Sequence, residues 1–365
     1  MKKLAYSLAF GALALVACNN EPSYKISGTV EGAEDGQVVY LLEAKGRQRV
    51  KVDSTVVTKG AFTFSGRQDT AVYRALNIQV SEGQNYLVDF YLENGKITAT
   101  LGKESTITGT LNNDAYQAYK DGYNALMKEY RELGMKLRTD STLTDEQREE
   151  LKTQMGAMNG KMTDFYYNTV DANATNVVGE NLFLSQYYNF SVEQQKALIA
   201  KMPEATLNNE RIQKIVKQIE TLEKTAVGQK FVDFEMPTPD GKTLKISDVV
   251  SQNKYTLIDF WASWCGPCRA EMPNVIKAYE KYNKKGFGIV GVSLDNDEAK
   301  WKAAIKDLKM PWAHMSDLKG WQCEGAALYG VNSIPATVLV AQDGTIIERN
   351  LRGEAIKEKL AELLK

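Results

Sequence analysis

The stretch from Asp259 to Glu271 reads DFWASWCGPCRAE, two thiols three positions apart around a Gly-Pro pair. Such a pair can ligate a metal, staple the fold or exchange electrons. Tetrahedral zinc takes four ligands. Cys265 and Cys268 offer two, there is no second CxxC, and the one histidine, His314, and Cys323 stand at no ligand-like spacing. No metal is expected. A bridge between residues three apart closes a tiny loop, which stabilises little and carries strain.

Electron exchange uses every residue of the stretch. An apolar strand, LIDFW, would end just before the cysteines and a helix would begin at them. Cys265 at a helix start meets unpaired N–H groups and the positive end of the helix dipole, which favour a reachable thiolate. Cys268 lies one turn in, shielded but close enough to resolve a mixed disulfide. Pro267 costs nothing in a first turn. Gly266 leaves room for a substrate backbone, and Trp264 flanks the attacking sulfur with a flat apolar surface. The resolving step needs Cys268 to lose a proton. Asp259 on the strand, or Glu271 three residues after Cys268 on the same helix face, could relay it if buried.

Three kinds of region must position this site. From Tyr24 to about Gly109, short β-branched and aromatic runs are punctuated by Gly, Asn and Asp, as in an antiparallel sandwich or barrel. Asp53, Asp69 and Asp89 are scattered there and read as solvated. From Leu111 the period becomes helical. Asn113 or Asp114 could cap a first helix; Thr144 with Gln147, and Ser191 with Gln194, form capping boxes. Met155, Met158 and Met162 fall near one face and read as packing. From Val227 strands and helices alternate as in an α/β fold. The expected domains are a leader at 1–17, a β-rich domain at 18–110, a helical region at 111–226 and an α/β domain at 227–365.

Composition narrows the function classes. The 365 residues carry a formal net charge of -1, with 43% apolar and 25% charged residues. No basic excess points to nucleic acid. The start, MKKLAYSLAFGALALVAC, has a lysine pair and then an apolar run too short to span a bilayer comfortably. Its end, Leu15-Val16-Ala17-Cys18, resembles the lipobox of bacterial lipoproteins. That resemblance implies acylation of Cys18, anchoring to a membrane and residence in the cell envelope, facing the periplasm. Of the four cysteines three then remain, so one thiol is left unpaired.

The WCGPC motif, the strand acid Asp259 and Pro273 in the following helix resemble thioredoxin. From about Val227 onward, the lead-in hairpin FVDFEMPTPDGKTLKISD, Glu271 and an extra βα unit resemble the TlpA-like, membrane-tethered branch. The resemblance implies a thioredoxin-like C-terminal fold and a thiol-disulfide oxidoreductase. It also implies a cis bond at Ile334-Pro335, with the Ile334 backbone pairing to the substrate chain and Pro335 keeping metal from the thiols. Related folds span about -270 to about -120 mV, roughly 7 kcal/mol for two electrons. Gly266-Pro267 and Ile334 match the reducing pattern. The expected activity is reduction of disulfides in exported proteins. The Cys265-Cys268 disulfide serves in place of a cofactor, and a membrane donor recharges it, since no nicotinamide or flavin fingerprint is visible. Two alternatives stand beside it. A peroxiredoxin-type peroxidase needs Thr or Ser three before the reactive cysteine, where this chain has Ala262. A surface binding module would give the first two regions the leading role. Cys323 reads as a buried, inert thiol.

Overall fold

The computed structural model of the chain describes residues 23–365. The expected leader and Cys18 lie outside the described residues. The chain forms two compact units, one ending at Pro203 and the other running Glu204–Lys365.

The first unit opens with β1 (Tyr24–Val30), β2 (Val38–Lys45), β3 (Gln48–Val56), β4 (Ala61–Gly66), β5 (Val72–Ser81), β6 (Gln84–Leu92), β7 (Gly95–Leu101) and β8 (Thr106–Thr108). They form two four-stranded sheets, ordered β4-β1-β7-β8 and β3-β2-β5-β6. Period-two alternation drives this. In β1, Tyr24, Ile26 and Val30 point inward while Lys25, Ser27 and Thr29 face water. Ile26, Phe62, Phe64 and Ile97 of one sheet share a core with Leu41, Leu76, Ile78 and Phe90 of the other. Each such side chain contributes about 1.5–3 kcal/mol. Gly28 stands opposite Phe62, and a Cβ there would lie 2.2 Å from the ring, so the glycine makes room for the aromatic. The pairing departs from the antiparallel expectation at one place: β1 and β7 run parallel. A parallel pair needs a long connection, and here the intervening chain supplies β4 and all four strands of the second sheet.

The same unit continues with α1 (Leu111–Thr139), α2 (Asp145–Ala172), α3 (Val177–Gln186) and α4 (Val192–Ile199). The capping boxes at Thr144 and Ser191 are both formed. The first cap differs from expectation: Thr110 is the N-cap, and the helix begins at Leu111. Asn113 is engaged elsewhere, accepting from the Tyr91 N–H at 2.9 Å and donating to the Tyr91 carbonyl at 2.7 Å. Asp114 accepts from the Gly109 N–H. Tyr116, Tyr119 and Tyr123 of α1 meet Phe165 and Tyr166 of α2 in a run of ring contacts. Met158 is buried, while Met155 and Met162 are half-buried.

The second unit contains α5 (Glu204–Leu207), α6 (Glu210–Lys224), β9 (Glu235–Pro237), β10 (Thr243–Lys245), α7 (Ile246–Val250), β11 (Tyr255–Trp261), α8 (Gly266–Tyr282), β12 (Phe287–Ser293), α9 (Glu298–Asp307), β13 (Ala313–Met315), α10 (Glu324–Leu328), β14 (Ala336–Ala341), β15 (Ile346–Arg349) and α11 (Glu354–Leu363). Its main sheet has the order β13-β12-β11-β14-β15. The first three strands are mutually parallel, and β14 and β15 are antiparallel. Every residue of β12 is buried, as a central parallel strand demands. The α/β arrangement is the one the thioredoxin resemblance implies. The helical stretch 111–226 is shared between the units, because α6 is tied to the second. Arg349 donates to the Thr225 carbonyl at 2.6 Å and to the Tyr329 carbonyl at 2.8 Å, and Gly330 packs closely on Leu222. Among the described residues no helix is long and apolar enough to cross a membrane.

Candidate active site

Strand β11, central in the sheet, ends at Trp261, and α8 starts one short loop later. Cys265 is the N-cap of α8, and the Cys268 N–H donates to its Sγ at 3.2 Å. A sulfur at this point faces the open end of a helix, where N–H groups have no internal acceptor. Cys265 and Cys268 are joined in a disulfide. Cys265 keeps 5% exposure and Cys268 none, so Cys265 is the outer residue of the pair. Gly266 and Pro267 are exposed, and Trp264 is 52% exposed. The Ile334 carbonyl oxygen lies 3.7 Å from Cys265 Sγ, and the Ile334–Pro335 bond is cis. The fold therefore brings Ile334 and Pro335 to the cysteines from far along the chain.

Asp259, on β11, is buried, and its Oδ2 has no hydrogen-bond partner. Burial, and secondarily the charge of Glu271, push its carboxyl up to about 7. Glu271 is only partly buried. Its carboxylate accepts from the Gly353 N–H at the start of α11 and from Asn274. The two acids are thus placed unequally: one is unpaired and dry, the other held by donors.

On the neighbouring strands Asp259 stands opposite Gly291 of β12 and Thr337 of β14, and Gly291 in turn stands opposite His314 of β13. A Cβ on Gly291 would lie 2.4 Å from His314 Nδ1 and 3.1 Å from Trp261 Nε1. The missing side chain lets both rings lean into that row. Burial holds His314 down at about 4, against a smaller opposing pull from the Met310 backbone, so the ring is neutral. Cys323 is a buried free thiol whose pKa burial raises. Among the described residues no three His, Cys, Asp or Glu side chains are grouped to hold a metal.

Sequence reasoning missed Asp295. It is buried just past β12, and its carboxylate accepts from the Ser263 N–H at 2.9 Å, the Ser263 hydroxyl at 2.5 Å and the Ser293 hydroxyl at 2.7 Å. These bonds pin the loop that carries Trp264 and Cys265. In the sequence it stands among Asp297 and Glu298 and looks like part of a solvated turn. The one signal was its place directly after an unbroken apolar strand. Gly353, with φ +57°, was also missed as the partner of Glu271.

Comparison with known proteins adds the following. Residues 227–349 match the AhpC/TSA family, and residues 24–116 match a domain of unknown function, DUF4369. Thiol-disulfide oxidoreductase ResA of Bacillus thuringiensis subsp. konkukian is 34% identical over 145 residues, which is 39% of this chain and 79% of that protein. The thioredoxin-like protein YneN of Bacillus subtilis is 31% identical over 122 residues, covering 33% of this chain and 68% of that one. A solved thiol-disulfide oxidoreductase from Bacteroides fragilis is 34% identical, covers 37% of this chain and all of its own (100%), and superposes with a TM-score of 0.36.

Proposed function

Given that the chain belongs to the ResA/TlpA-like thiol-disulfide oxidoreductases of the thioredoxin superfamily, we propose that it reduces disulfides of exported proteins from a lipid anchor at Cys18. The observation that carries the reading is the seat of Cys265 at the N-terminus of α8, with the Cys268 N–H aimed at its sulfur.

In the reduced enzyme the Cys265 thiolate attacks one sulfur of the client disulfide. A mixed disulfide forms, and the first client thiolate leaves and takes a proton. Cys268 then gives its proton to Asp259, whose raised pKa near 7 suits it to accept one at neutral pH. The Cys268 thiolate attacks Cys265, the Cys265–Cys268 bond forms and the second client thiolate departs. The client gains two electrons and two protons. An electron donor in the membrane then returns two electrons to the disulfide. In this scheme Glu271 raises Asp259 by its charge and ties α8 to α11, while Trp264, Gly266, Pro267, Ile334 and Pro335 receive the client backbone.

Trapping tests this directly. Cys268→Ser should accumulate a mixed disulfide on Cys265, and Cys265→Ser should lose reductase activity to background. A Cys265→Ser enzyme that still reduces protein disulfides would refute the assignment. The AhpC/TSA match favours one second reading, a thiol peroxidase. Ala262 lacks the hydroxyl that such chemistry needs, and Ser263 beside it is already bonded to Asp295. Peroxide consumption at thiol-peroxidase rates would favour that reading over the first.

A further inference from the structure

The second unit hides nearly all of its large apolar side chains. Among its described residues only Val227, Trp264 and Trp321 are exposed in that class. The two tryptophans touch, with ring centroids 6.1 Å apart and planes inclined by 56°. They are 52% and 53% exposed, whereas Trp261, Trp301 and Trp312 are buried. Leaving an indole half in water forgoes a large share of its transfer free energy. Tryptophan is also among the residues that most often dominate binding interfaces.

Asp295 bonds to the residue that precedes each tryptophan. The Asp295 carboxylate takes both donors of Ser263, next to Trp264. The Asp295 carbonyl accepts from the N–H of Gly320, next to Trp321, at 3.4 Å. Gly320 has φ +58°, and it opens the short turn Gly320–Gln322 that lifts Trp321 to the surface. Buried Asp295 thus ties together the two turns that carry the indoles, one of which is next in sequence to Cys265.

We propose that Trp264 and Trp321 form a docking platform for an apolar or aromatic side chain of the client polypeptide, a few residues from the cysteine being reduced. This deepens and rests on the dithiol-exchange reading. The platform is continuous with the place where a client sulfur must approach Cys265. A small disulfide would touch only the sulfur, while a polypeptide also lays flanking side chains on the surface around it. Trp321 is here a specificity-determining residue, acting on which client is held and not on the exchange chemistry.

The test uses the full chain and two peptides, each in mixed disulfide with glutathione. They differ only in carrying Phe or Ser two residues before the cysteine. Wild type should show kcat/KM about tenfold higher for the Phe peptide, a difference of about 1.4 kcal/mol. Trp321→Ala should bring the ratio close to one, mainly through KM, and Trp321→Phe should restore most of it. An unchanged ratio in Trp321→Ala, or no preference in wild type, would overturn the proposal. So would a Trp321-dependent dimer in sedimentation, which would put a second copy of the chain on the platform. If wild type reduces neither the peptides nor hydroxyethyl disulfide, the exchange reading is what fails. Docking is then decided by calorimetry with the Phe peptide carrying Ser for Cys, which must bind wild type more tightly than Trp321→Ala.

Discussion

Asn113 and Asp259 are both buried polar side chains, one in each unit, and they are treated in opposite ways. Asn113 has both ends of its amide occupied, by the backbone of Tyr91 and by the Thr110 hydroxyl at 2.8 Å. Asp259 keeps an oxygen without a partner in a dry place. A buried group that is fully paired adds rigidity, since removing it strands its partners. A buried acid that is left unpaired costs stability and gains a pKa near neutrality. The first unit spends its buried amide on joining a strand to a helix. The second keeps an unpaired ionisable group on the strand that leads to the disulfide.

Asp259→Asn should have the largest effect. Removing the proposed proton acceptor should slow release of the mixed disulfide by about a hundredfold, read by quenched-flow of a labelled peptide disulfide. The same variant should change stability with pH. Folded Asp259 titrates at about 7, against about 3.9 unfolded. Between those values the folded state keeps a proton that the unfolded state has lost, so stability falls as pH rises through the window. The loss is on the order of 4 kcal/mol. His314 acts in the opposite sense: it titrates at about 4 folded and about 6.5 unfolded. Its contribution is lost as pH falls from about 6.5 to about 4. The two slopes oppose each other over most of the range. Denaturation midpoints should therefore make Asp259→Asn gain stability over wild type as pH rises from 4 to 7. His314→Gln should lose stability relative to wild type over the same interval. Difference curves that stay flat would remove the contrast between the units.

Asn113→Ala comes next. It strands the Tyr91 N–H and carbonyl and should cost about 2–3 kcal/mol in urea unfolding. Reduction of a peptide disulfide at a temperature where the variant is folded should be unchanged. A loss of redox rate equal to that of Asp259→Asn would show that the two buried groups are not doing different jobs. Thr144→Ala, which removes one capping box on α2, should cost about 1 kcal/mol and leave the pH curves alone.

Local pattern made much of the fold legible. Strands β1, β4 and β7 of the first unit follow period-two alternation, and the capping boxes at Thr144 and Ser191 are short-range signals that nothing overrode. The thiol pair could be placed on a helix start because strand, Gly-Pro and helix are contiguous in sequence. What stayed hidden depends on partners far along the chain. Asn113 looked like a cap because its true partner, Tyr91, belongs to a strand. The parallel pairing of β1 with β7 has no local signature. Asp295 reads as a turn acid until β12 and the Ser263 loop are brought together. The association of α6 with the second unit rests on Arg349, on the last strand of the sheet. Trp321 carries no motif, and only exposure beside Trp264 distinguishes it.

The most direct measurement is the rate of iodoacetamide alkylation of Cys265 against pH, in the reduced enzyme with Cys268 replaced by Ser. A sulfur that accepts from the first turn of α8 should react with a midpoint at least about one unit below the roughly 8.5 of free cysteine. A midpoint at or above that of free cysteine would contradict the account.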